Sequence, residues 1–308
     1  MPTWSGKKVA VLYGGRSSER EVSLRTGKAC ADALVSKGYD VTLLDVGLDL
    51  PERLRGARID VAFNALHGRW GEDGCVQGLL EAMAIPYTGS GVLASALGMD
   101  KTVAKAMFGA LGLSLIDYRV FAQAKAGEIT PADLPFGIPC VVKPAGEGSS
   151  VGVHLVRDPA QLRAACVDAA SFKGDVIIER YLKGVEVNVA VLDGKALGAI
   201  EIEPANEFYD YAAKYTAGTT KYHYPARIPE AHVKRTMEAA EKAHRGLGCS
   251  GVTRVDFIVA PDGTPYILEI NTLPGMTATS LTPKIAAGIG IAFPDLCERI
   301  LDGAALKA

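Results

Sequence analysis

No apolar run in the 308 residues approaches the roughly 20 that a membrane-spanning helix needs. Near the start, Val9–Tyr13 is too short for a secretory leader and reads instead as a first β-strand. A charge excess of either sign is also missing: 33 Lys and Arg stand against 35 Asp and Glu, for a net charge of −2. That balance gives no bulk-charge basis for binding nucleic acid or an acidic membrane, and neither is expected as a partner. CxxC pairs are absent. The six cysteines, at 30, 75, 140, 166, 249 and 297, are scattered, which reads as reduced, mostly buried thiols in a cytoplasmic protein. Two nucleotide signatures are lacking as well: no GKS or GKT closes a Walker A loop, and no GxGxxG opens a helix. What remains is an ordinary globular composition, 48% hydrophobic and 22% charged, at a length that suits two domains or three small ones.

The first hundred residues alternate strand and helix. Val9–Tyr13 runs into Gly14-Gly15, and Ser18 and Glu21 have capping-box spacing before a helix to about Lys37. Strands follow at Val41–Leu44 and Ile59–Asn64, then the loop HGRWGEDG and a helix over Val76–Met83. This alternation predicts a parallel sheet with helices on both faces, with ligands gathering at the strands' carboxyl ends, where Gly14-Gly15 and His67-Gly68 fall. A helix is expected at about Asp100–Leu111, and Ile138–Lys143 is a strand entering the Gly/Ser loop AGEGSSVG (145–152). Val153–Val156 and Val176–Arg180 are further strands. Only the last third reads as antiparallel hairpins: Val187–Leu192 with Lys195–Ile202, and Val252–Ala260 with Pro265–Asn271. Between them, 204–229 has little periodicity but five of the eleven tyrosines, which predicts an ordered lid.

Alternation along TRVDFIV (253–259) puts Val255, Phe257 and Val259 on one face, with Tyr266, Leu268 and Ile270 of PYILEIN as the matching core face. The opposite face gathers Arg254, Asp256, Glu269 and Asn271. Three hard oxygen donors beside a guanidinium suit Mg²⁺ bridging protein and nucleotide phosphates; a solvated face with a surface ion pair is the other reading. The Gly/Ser loop after Lys143 could bring backbone N–H groups to phosphate oxygens or be a plain turn. Lys143, at the end of an apolar strand, needs a partner or a ligand anion. Glu19 could face a ligand or simply favour the positive end of its helix, and His67 could be ligand-facing or structural.

Eight stretches stand in a fixed order: GGRSSEREVSL (14–24), ALHGRWGEDG (65–74), PYTGSG (86–91), MDK (99–101), VVKPAGEGSSVG (141–152), FYDYAAKY (208–215), TRVDF (253–257) and LEINTLPGMT (268–277) with Ser280. Together they resemble the D-alanine–D-alanine ligases of the ATP-grasp superfamily. The resemblance implies an α/β and α+β chain in which an ATP-grasp fold follows a doubly wound parallel-sheet domain. The expected divisions are a substrate-binding domain at 1–100, a central subdomain at 101–185, and a C-terminal subdomain at 186–308 carrying the metal site and the lid loop 204–229.

The same resemblance implies ATP-dependent ligation of two D-alanines through an acyl phosphate, for peptidoglycan synthesis. It implies ATP as substrate, two Mg²⁺ ions with Mn²⁺ able to substitute, and a homodimer. By motif position Lys101 and Lys143 contact phosphates, and Glu147, Ser149 and Ser150 belong to the ATP-binding loop. Glu179 takes the adenine amino group with backbone at Tyr181 and Leu182, Glu186 holds the ribose, and Lys214 reaches the γ-phosphate. Asp256, Glu269 and Asn271 bind metal, and Asn271 also faces ATP. Glu19 binds the ammonium of the first D-alanine, His67 lies in the substrate site, and Ser280 binds the second carboxylate. Arg254 and a backbone N–H near Gly275 stabilise the oxyanion, while Tyr215, Ser149 and Glu19 form a latch. Tyr215 favours an amine acceptor over a hydroxyl one. Trp70 departs from the family pattern, where Gly is frequent.

Overall fold

The structure is a computed structural model that describes residues 3–146, 148, 151–172, 174–204 and 220–307. The first strand, β1 (Lys8–Tyr13), has Val9, Ala10, Val11 and Leu12 wholly buried, as a strand covered on both faces requires. It lies between β2 (Asp40–Asp45) and β3 (Val61–Asn64), parallel to both. Helix α1 (Arg20–Ser36) packs on this sheet, followed by α2 (Leu50–Ala57), α3 (Cys75–Ala82) and α4 (Val92–Met99). The expected capping box at Ser18 does not form. Glu19 is the N-cap residue, and the neighbouring Ser17 Oγ accepts from Glu19 N (3.1 Å) while donating to His67 O (2.6 Å). The hydroxyl one position earlier has closed the turn and tied it to the next loop.

Antiparallel pairing begins earlier than the hairpin pattern suggests. Strands β4 (Tyr118–Phe121), β5 (Cys140–Pro144), β6 (His154–Val156) and β7 (Val176–Arg180) form a four-stranded sheet in the order β4-β7-β5-β6. Every pairing in it is antiparallel. The loop joining β5 to β6 is too short for the crossover a parallel pair needs. Helix α6 (Pro159–Ala169) buries Leu162, Ala165 and Cys166 against it.

A five-stranded antiparallel sheet follows, ordered β10-β9-β8-β11-β12: β8 (Val185–Leu192), β9 (Lys195–Pro204), β10 (Thr220–His223), β11 (Val252–Val259) and β12 (Pro265–Asn271). Strand β10 thus falls inside the stretch expected to be an unpatterned lid. The core face of β11 carries Val255, Phe257 and Val259, as alternation requires. On β12 a bulge opposite Asp256/Phe257 shifts the alternation. Ile267 and Ile270 are the core residues, while Tyr266 and Leu268, expected in the core, lie on the other face.

Packing crosses the linear divisions at two helices. Helix α5 (Lys101–Ala110) buries Ala104 and Phe108 among Val187, Val189 and Ile267 of the five-stranded sheet, alongside α7 (Glu230–Gly246). Helix α8 (Leu281–Gly288) covers the sheet's other side. Near the chain's end, α9 (Phe293–Asp302) packs Leu296, Cys297, Ile300 and Leu301 with Val9, Val11 and Leu34 of the first sheet's core. Among the described residues no helix is long and apolar enough to cross a membrane.

Candidate active site

A cavity of about 420 Å³ opens between the four- and five-stranded sheets, a size ordinary for a small-molecule site. Val141 and Lys143 of β5 form one wall; Asp256, Ile258, Leu268 and Glu269 of β11 and β12 form the other. The bulge that moved Leu268 out of the core is what puts it in this wall. Lys101, Glu179, Tyr181, Leu182 and Glu186 complete the lining, so eight residues expected at ATP or metal share one cavity.

Its charges are paired before any ligand arrives. Glu179 lies at the inner end, 3% exposed, with Lys143 Nζ 2.8 Å from one oxygen and Lys105 Nζ 2.5 Å from the other. Burial alone would raise this carboxyl, but the two ammonium groups overcome it and hold it at about 2. Burial pushes the Lys143 ammonium down, with Lys105 and Lys101 adding repulsion and Glu179 opposing. Lys105 escaped the sequence reading. The available signal was its place one turn after Lys101, on the same apolar stripe as Ala104 and Phe108.

Toward the cavity's other end, Asp256 stands directly opposite Glu269, and Arg254 opposite Asn271. The guanidinium of Arg254 donates to both Asp256 oxygens at 2.8 Å, and Lys101 Nζ is 3.1 Å from Glu269. Burial would depress the Lys101 ammonium, yet Glu269 raises it overall. The side-chain oxygen of Asn271 accepts from Leu273 N at 3.1 Å. Oxygen donors on facing positions of adjacent strands fit a hard divalent cation.

A second group of residues gathers beside this cavity. His67 is 5% exposed; its Nε2 is 3.0 Å from Thr26 Oγ1 and its Nδ1 3.3 Å from Glu72. Burial raises the Glu72 carboxyl, against the pull of the His67 hydrogen bond. Met276 N donates to the same Thr26 oxygen at 3.5 Å, which joins the His67 loop to the loop carrying Gly275 and Ser280. Ser280 Oγ lies 2.8 Å from Thr277 Oγ1, and a Cβ on Gly275 would be 2.9 Å from it. Glu19 meets the Gly/Ser loop: a Cβ on Gly148 would lie 3.3 Å from its carboxylate. Glu147, Ser149, Ser150, Lys214 and Tyr215, and with them the latch, lie outside the described residues.

The sequence reading also passed over the outer rim, where Glu201 and Glu203 line the cavity. With His223 they bring three possible ligand atoms within 4.8 Å of one another. Arg227 bridges the two carboxylates, 2.6 Å from Glu201 and 2.7 Å from Glu203, and holds Glu201 below the usual carboxylate range. The alternating EIE of 201–203 was the signal for this face.

Comparison with known proteins agrees with this geometry. A family profile described as D-ala D-ala ligase C-terminus matches residues 107–302, and one described as D-ala D-ala ligase N-terminus matches 49–90. The D-alanine–D-alanine ligase of Anaeromyxobacter sp. (strain Fw109-5) is 79% identical over 308 residues, covering 100% of both chains. Crystal structures of the D-alanine–D-alanine ligase from Bacillus anthracis superpose with a TM-score of 0.86 at 37% identity. When complexed with ATP, that enzyme gives 0.85 at 34%, each covering 97% of both chains. The VanG D-Ala:D-Ser ligase from Enterococcus faecalis gives 0.81 at 32% identity, covering 96% of this chain and 98% of its own. With its fold and its motifs in register over the whole length, this chain belongs to the D-alanine–D-alanine ligase family.

Proposed function

We propose that the chain joins two D-alanines to D-alanyl-D-alanine at the expense of ATP, as a cell-wall precursor ligase, with the nucleotide in the cavity between the two sheets. The observation that carries this reading is one cavity presenting, in order, a buried carboxylate (Glu179), two lysines (Lys143 and Lys101) and a facing oxygen pair (Asp256 and Glu269). That order matches the polarity of a nucleoside triphosphate: base, phosphates, metal. Glu179 accepts from the adenine amino group. The N–H of Tyr181 already donates to Pro139 O (3.0 Å), so its carbonyl is the atom it turns to the base. Glu186 takes the ribose.

A carboxylate is a poor acyl donor because its leaving group would be oxide. Transfer of the γ-phosphoryl group to the first D-alanine supplies a good leaving group, and the amine of the second then attacks the activated carbonyl. Lys101 and Lys143 offset the charge that crowds as the carboxylate approaches the phosphate. Bound at Asp256, Glu269 and Asn271, Mg²⁺ would neutralise phosphate charge. The bidentate pair with Asp256 fixes the plane of Arg254, which stabilises the oxyanion with the backbone N–H near Gly275. Glu19 binds the first ammonium and Ser280 the second carboxylate; Thr26, on the helix that Glu19 caps, bonds Met276 N of the loop leading to Ser280 and so fixes the spacing of the two subsites. A homodimer in the cytoplasm belongs to the same reading.

Phosphate release from ATP and Mg²⁺ tests it, with D-alanine alone, L-alanine alone, and D-alanine with D-serine or D-lactate, products being weighed by mass spectrometry. D-alanine-dependent release with D-alanyl-D-alanine as the main product is expected. Turnover only with another pair would keep the nucleotide chemistry and overturn the acceptor assignment.

A further inference from the structure

Lys105 is wholly buried, yet it is absent from the cavity wall that Glu179 and Lys143 share. Its ammonium sits 2.5 Å from Glu179 Oε1 and 5.2 Å from the centre of the Tyr118 ring. Tyr118 is the residue directly opposite Glu179 across the β4–β7 pairing. Lys105 itself rides on α5, whose apolar face belongs to the other sheet's core. It therefore spans the cleft behind the base end of the cavity.

A buried lysine–carboxylate pair is a weak source of stability, because desolvating two charges offsets most of their attraction. What the pair supplies is geometry. Lys143 and Lys105 hold opposite oxygens of Glu179, which fixes the plane of the carboxylate. Lys143 lines the cavity, within reach of a bound triphosphate; Lys105 does not line it.

We infer that Lys105 is a positioning residue for base recognition: it keeps Glu179 oriented as an acceptor once Lys143 has turned to the phosphates, and so sets the preference for a base bearing an exocyclic amine. The inference rests on the reading of Glu179 as the adenine contact. In this role Lys105 acts through Glu179 and touches no substrate.

The test compares ATP with purine riboside triphosphate, which lacks the amine, as phosphoryl donors for D-alanine in the wild type, Lys105→Met and Lys105→Gln. Wild type should favour ATP. Lys105→Met should lose about tenfold or more in kcat/KM for ATP, carried by KM, with much less loss for the analogue, so that the preference collapses. Lys105→Gln keeps an N–H donor and should retain part of the preference; it also serves as the readout if Lys105→Met fails to fold. Equal losses for both nucleotides would reduce Lys105 to a structural role and overturn the inference. A wild type that uses both nucleotides equally would instead overturn the base contact at Glu179, leaving the ligase reaction itself intact.

Discussion

Glu269 faces Asp256 across one strand pairing and lies 3.1 Å from Lys101, so under the proposed metal role removing its charge acts on the ion and on the lysine together. Glu269→Gln is expected to lower turnover by roughly 100-fold or more at limiting Mg²⁺, with partial recovery as the ion is raised. Phosphate release titrated against Mg²⁺ checks this, and an unaltered Mg²⁺ dependence would remove Glu269 from the metal site. His244 gives a stability prediction of a different kind. It is 2% exposed, its Nδ1 2.9 Å from Thr253 Oγ1, and burial, helped by the Arg245 charge, holds it down at about 4. The unfolded chain therefore takes up a proton that the folded chain refuses between about pH 6.5 and 4. The contribution is complete above about 6.5 and falls away below it by up to about 1.4 kcal/mol per pH unit. Urea melts at pH 7 and pH 5 should show that loss in the wild type and a flatter profile in His244→Gln. At this scale the carboxylates were legible because a strand's period is 2, and two short segments place all four residues. Lys105 was not, since a lysine on an apolar helical stripe looks the same whether it snorkels to solvent or meets a carboxylate on another element.

Helix α5 carries Lys101, which lines the cavity, and Lys105 behind it, and is anchored through Phe108, which is wholly buried in the five-stranded sheet's core. Phe108→Ala should cost about 3–5 kcal/mol in urea unfolding. It should also raise the KM for ATP, because the anchor and the lysines share one rigid element. A loss under 1 kcal/mol would mean that α5 is held by something other than this packing. The helix itself was expected at about Asp100–Leu111 with Gly112 ending it; Asp100 proves to be its cap, accepting from Thr102 N and Val103 N. Strand direction was harder. Hydrophobic runs in β4 to β7 say nothing of polarity, and only the short β5–β6 connection excludes a crossover. The bulge at Asp256/Phe257 leaves no mark in the residue types, so alternation read straight through it misplaced Tyr266 and Leu268.

The whole molecule is tied together by segments distant in sequence. Ala305 pairs with Tyr87, which also bridges to Ala62, and α9 closes the first sheet's core from the far end of the chain. A periodic apolar face at Phe293, Leu296 and Ile300 announces that the helix is buried, but not against which sheet, and linear divisions at 100 and 185 cannot show that return. The cavity between the sheets has the same long-range character: its walls come from two sheets, so on the proposed reading a bound nucleotide braces one against the other. Ligand at about 100 times its Kd should stabilise the fold by about 2.7 kcal/mol, a rise in Tm of roughly 5 °C for a chain of this size. ADP with Mg²⁺ should produce that rise in a thermal melt, and Glu179→Gln should need more nucleotide for the same shift because the base end is weakened. D-Alanine alone, which on this reading binds beside the cavity rather than across it, should move Tm far less. A larger shift from D-alanine than from ADP would place the brace at the Glu19–Ser280 side instead and make amino-acid binding, not nucleotide binding, the event that joins the two sheets.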